Sequence, residues 1–134
     1  MHLLNEETIN ELPIHDSDLL KLSISQNYNG AAELRLSIGF YKDEIDLLTK
    51  PLKSLLTDGN QADILFRNCY WVNMEAFFNI TRRDEFDYME YLRNTPQLKH
   101  YAAGLAKNHM RIKFISGSTL ECIFEEVAIV QCNR

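Results

Sequence analysis

The chain has 134 residues, 46% hydrophobic and 25% charged, which suits one globular domain over residues 1–134 and excludes a disordered or fibrous polymer. Nineteen acids against fourteen Lys and Arg leave a net charge of -5; eleven acids and five bases lie in residues 1–63, eight and nine in residues 64–134. That asymmetry argues against nucleic-acid binding by the first half and suits a basic partner.

Asn5 is placed to cap a short helix running to Leu12, with Ile9 and Leu12 on one side and Pro13 as its stop. Its three acids, Glu6, Glu7 and Glu11, stand where a signal peptide would be basic and then apolar. The longest apolar runs also fall far short of the roughly 20 residues that span a bilayer, so the expected setting is the cytoplasm, with no membrane contact. After the turn Pro13-Ile14-His15-Asp16-Ser17, Leu20 to Ser25 alternates apolar and polar residues, and Leu34 to Ile38 does so again beyond the turn residues Gln26 to Gly30. Together these predict a β-hairpin.

From Phe40 to Asn60 the alternation is lost. Leu47, Leu48, Leu52, Leu55 and Leu56 fit a turn or two of helix, Pro51 suits a helix start, and Thr57-Asp58-Gly59-Asn60 ends it. Strands are expected through Ile64-Leu65-Phe66 and, bent or bulged, from Cys69 to Ile80, where Val72, Met74, Ala76, Phe78 and Ile80 share one parity. Phe86, Met89 and Leu92 recur at intervals of three among charges, predicting a helix from Asp84 to Arg93. Thr95-Pro96 reads as the cap and first turn of another, with Leu98, Tyr101, Ala102 and Leu105 on one stripe. Met110 to Phe114, the turn Ser116-Gly117-Ser118 and Leu120 to Val130 predict a closing hairpin. The expected fold is α+β and mainly antiparallel β, a sandwich or roll with one or two helices between strands.

Chemistry-bearing residues are sparse. Cys69, Cys122 and Cys132 have neither disulfide nor zinc-site spacing and are expected to be reduced. His15-Asp16 resembles an oriented imidazole, but neighbours in an extended segment point to opposite faces, so Asp16 is expected to bond backbone amides in its turn. His100 and His109 lack metal-ligand spacing, and neither a nucleophile elbow nor a phosphate-cradling glycine loop is present. The sequence therefore points to no catalytic residue, metal or cofactor. Asp43, Glu44, Asp46 and Asp58, in the least strand-like segment, are the first candidates for contact with a protein partner, and Tyr70-Trp71 the second. The alternative is a small-ligand-binding β-sandwich module using His15, Asp16, Tyr70 and Trp71.

The segments Leu12-Pro13-Ile14-His15-Asp16-Ser17, Ile64-Leu65-Phe66-Arg67-Asn68-Cys69 and Leu120-Glu121-Cys122-Ile123-Phe124-Glu125-Glu126-Val127 resemble a group of small bacterial β-rich proteins with a His-Asp-small start. Some of that group resemble immunity proteins of bacterial toxin systems. The resemblance implies a non-catalytic interaction domain whose partner is a toxin, and an acidic inhibitor suits a basic toxin domain. It carries no functional residue onto this chain.

Overall fold

A computed structural model describes residues 1–26, 31–57, 59–75, 84–101 and 107–132. Strand β1, His2–Leu4, leads into helix α1, Glu6–Glu11. Asn5 caps that helix as expected: its side chain accepts the Thr8 N–H at 2.9 Å, and Thr8 Oγ1 accepts the Asn5 N–H at 2.7 Å. Strands β2, Asp18–Gln26, and β3, Ala32–Gly39, form the predicted hairpin; its turn, residues 27–30, lies outside the described residues.

The leucine-rich stretch becomes a 3₁₀ segment, Lys42–Leu47, and helix α2, Lys50–Lys53, with Pro51 in its first turn and Leu48 and Leu52 buried. Strand β4, Gln61–Cys69, follows and passes at Tyr70 into β5, Trp71–Glu75. The strand expected from Cys69 to Ile80 is thus broken at its first residues, and its end, residues 76–80, lies outside the described residues.

Phe86–Leu92 is a strand, β6, and not the expected helix. Its register shifts between Phe86 and Tyr88, so one extra residue separates the buried Phe86 and Met89. A bulge adds one position to the strand period of two and imitates the helical spacing of three. Helix α3, Pro96–Tyr101, is capped by Thr95, whose Oγ1 accepts the Leu98 N–H at 3.1 Å; Ala102 and Leu105, expected on its stripe, lie outside the described residues. The chain ends in β7, Asn108–Phe114, β8, Thr119–Phe124, and β9, Glu126–Gln131, with Glu125 splitting what the sequence reads as one strand.

These strands make a five-stranded sheet of order β1-β9-β4-β3-β2 and a four-stranded sheet of order β5-β8-β7-β6, antiparallel throughout. The expected mainly antiparallel two-sheet architecture is therefore correct. Both sheets share one ladder: β4 pairs β9 from Ala62↔Gln131 to Arg67↔Glu126, and β5 pairs β8 from Trp71↔Ile123 to Glu75↔Thr119. The ladder turns from one sheet into the other where Tyr70 faces Glu125. At the far corner the start of β6 pairs with the chain entering β2, closing the roll. Leu34, Leu36, Ile38, Ile64 and Phe66 of one sheet meet Met110, Ile112, Leu120, Cys122 and Phe124 of the other in a single core. Phe66 and Phe124 touch edge to face, their ring centroids 5.0 Å apart.

Candidate functional site

The closing corner gathers acids that are distant in sequence. The Asp16 N–H donates to the Phe86 carbonyl at 2.8 Å, the Phe86 N–H to Ser17 at 2.8 Å, and the Leu19 N–H to Asp84 at 2.9 Å. Asp18 consequently sits opposite Glu85 across a bridge, and opposed like charges destabilise a strand pair. Glu44, whose N–H donates to the Tyr41 carbonyl at 3.0 Å, comes in from the 3₁₀ segment; its Oε2 is buried and receives no hydrogen bond. Tyr41 stands among these acids, 44% exposed. Its hydroxyl is pushed above the ordinary tyrosine range by Glu85 first, then by burial and by Asp18, Asp16 and Glu44.

His15 and Asp16 border the same face. Asp16 has φ 65, in the left-handed region, so the two side chains do not diverge as extended neighbours would. His15 Nε2 lies 3.4 Å from Asp16 Oδ1, while Nδ1 meets the Asp87 carbonyl at 2.9 Å and its carboxylate at 3.4 Å. The Asp87 carbonyl, then Asp16, raise its pKa. The turn is held by Ser17, whose hydroxyl and N–H both donate to the Ile14 carbonyl, and not by the Asp16 carboxylate as expected. Asp84 is already engaged, since it accepts the Ser116 N–H at 3.2 Å and the Ser116 hydroxyl.

Of the four acids first singled out, Glu44 alone is seen to join the group around Tyr41. Asp43 is exposed beside it, Asp46 points outward 3.6 Å from Lys53, and Asp58 lies outside the described residues. Sequence reasoning missed Tyr41, Asp18, Glu85 and Asp87. The alternation Glu85-Phe86-Asp87 is a strand signal that could have found the last two, had the helical spacing not masked it.

Tyr70 and Trp71 occupy the opposite corner. Glu125 accepts the Tyr70 hydroxyl at 2.9 Å and Asn68 Nδ2 at 2.8 Å, and pairs with Lys107, whose ammonium lies 4.0 Å over the Tyr70 ring. Lys107, then Asn68 and Tyr70, hold Glu125 down to about 2. Trp71 stacks on Tyr101 at 5.8 Å and meets the edge of His109 at 5.7 Å. His109, 1% exposed, has Nδ1 2.7 Å from Thr95 Oγ1 and Nε2 3.2 Å from Glu121 Oε1. Thr95 Oγ1, which also accepts the Leu98 N–H, thus ties His109 to the start of α3, while the buried Nε2 finds no hydrogen-bond partner among the described residues. Burial lowers the His109 pKa against the opposing pull of Glu121.

His15-Asp16 therefore lie near β6 and Tyr70-Trp71 at the start of β5, at opposite edges of the four-stranded sheet, and the fold does not bring the two pairs together. Among the described residues no group of three or more His, Cys, Asp or Glu could hold a metal ion, and no helix is long and apolar enough to cross a membrane. Cys69, Cys122 and Cys132 are free. Comparison with models of known protein families finds no match, and neither does comparison with curated proteins.

Proposed function

We propose that the chain is a non-catalytic protein-interaction domain that docks a basic protein through the face around Tyr41, and that its specific task is immunity: neutralising a cognate bacterial toxin in the cytoplasm, without a cofactor. The observation that carries this reading is the bridge of Asp18 to Glu85 beside an exposed tyrosine, with Asp16 and Glu44 adding to the same field. Such an arrangement costs the free protein stability, and Lys or Arg from a partner would relieve it. Glu44 Oε2, buried without a donor, is an acceptor that the same cations could satisfy. Tyr41 supplies the amphipathic anchor typical of interface centres.

The test uses the product of the gene adjoining this one, purified and mixed with the intact chain. Binding should be fast and salt-dependent, and the combined Asp16→Asn, Asp18→Asn, Glu44→Gln and Glu85→Gln variant should associate about tenfold more slowly with a flatter salt dependence. Neutralising Asp43, Asp46 and Asp58 should have the smaller effect. A complex whose association ignores ionic strength would place the interface elsewhere, with Tyr70-Trp71 next in line. No complex with a basic neighbour product would remove the toxin assignment.

A further inference from the structure

The outer face of the five-stranded sheet carries a polar groove of about 230 Å³ that shares no residue with the acidic face. Strand pairing builds it. Leu34, Leu36 and Ile38 point into the core, so Glu33, Arg35 and Ser37 point outward. Lys21, Ser37 and Asp63 form one row across three strands, and Ser23 and Arg35 form the next.

The floor of the groove is electrostatically incomplete. Asp63 is 1% exposed, and Arg35 Nε takes its Oδ2. Ser37 and Cys132 stand beside the carboxylate, and although burial raises its pKa, these groups and Arg35 outweigh burial and hold it below the usual range. It is therefore an anion, yet its Oδ1 is buried and receives no hydrogen bond. A buried charged oxygen without a donor is costly. One water occupies about 30 Å³, so the groove has room for considerably more than a water at that atom.

We propose that this groove binds a small zwitterion of the amino-acid class, its ammonium donating to Asp63 Oδ1 and its carboxylate held by Lys21 with the Ser23 hydroxyl. The unmet need in the floor is for a donor at Oδ1, since Arg35 Nε serves the other oxygen, and an ammonium meets it with charge as well as a proton. The rim supplies the opposite chemistry, a lysine ammonium at the exposed end of the same row. Serine hydroxyls donate or accept, and so serve either end of such a ligand.

Amide chemical shifts of the full chain, followed by two-dimensional NMR, test the assignment with glycine, L-alanine and L-serine as probes and with methylammonium and acetate as the two half-ligands. At least one amino acid should give saturable shifts at Ser23, Arg35 and Ser37 with Kd of roughly 1 mM or tighter, and each half-ligand should bind at least about tenfold more weakly, since it makes only one of the two charged contacts. Lys21→Ala, at an exposed side chain, should weaken that binding about tenfold without disturbing the fold. Asp63→Asn should do the same where its spectrum stays dispersed; should it unfold, Ser23→Ala takes its place. The proposal is overturned by the absence of saturable shifts up to roughly 20 mM. It is also overturned by acetate binding as tightly as the amino acids, which would mark an anion site on Lys21 and Arg35, or by binding that Lys21→Ala leaves unchanged.

Discussion

His109 and Glu125 make the fold acid-sensitive in two separate windows. An imidazole in the unfolded chain titrates near 6.5, and burial holds His109 lower in the folded state. The unfolded chain therefore takes up the proton first. Stability from His109 is complete above about 6.5 and declines as pH falls through the folded value. Glu125 behaves likewise from 4.5 down to about 2, more weakly, because its carboxylate is 39% exposed and screened. His15, whose pKa is raised, has the opposite sign and is lost as pH rises. Urea unfolding between about pH 4 and 7.5 should show a slope that His109→Gln flattens near the upper end; an unchanged slope would refute the assignment. Arg35→Ala should cost about 3 kcal/mol, since it strands the buried Asp63 carboxylate. Arg67→Ala, which breaks the exposed pair with Glu126 at 2.8 Å, should cost less than about 1 kcal/mol.

Strand β6 shows how a local pattern misleads. Its apolar spacing of three satisfies a helix, and only the bulge after Phe86 reconciles that spacing with a strand whose Met89 pairs Ile112. The two conformations differ in their response to substitution at Tyr88, on the exposed side. Tyr88→Thr should be more stable than Tyr88→Ala by up to about 1 kcal/mol in a strand, and the order would reverse in a helix; thermal unfolding of the pair decides. The β2–β3 hairpin was legible because alternation runs unbroken from Leu20 to Ser25 and from Leu34 to Ile38, beyond the register shift between Leu19 and Lys21, as was the Asn5 cap because capping is local. The split at Glu125 was not, since it depends on Tyr70, Lys107 and Asn68 arriving from elsewhere to hold one carboxylate.

Across the molecule, net charge of -5 and the acids around Tyr41 act together. Sequence composition placed most of this charge in the first half, but the bridge to Glu85 crosses into the second, and no count along the chain could show it. Glu85→Lys should replace repulsion from Asp18 by attraction and stabilise the free protein by up to about 1 kcal/mol. Added sodium chloride should raise the melting temperature of the wild type more than that of the variant, because the wild type has more repulsion to screen. The ladder shared by both sheets bears on how this chain is made. Its partners are far apart, from Glu75 with Thr119 to Ala62 with Gln131, so each pairing closes a long loop before any contact rewards it. High contact order of this kind implies folding in milliseconds to seconds. On the ribosome, β4 must wait with one edge unpaired and β5 with no partner until β8 and β9 emerge; arrested chains ending near residue 115 should remain protease-sensitive where the released protein is not.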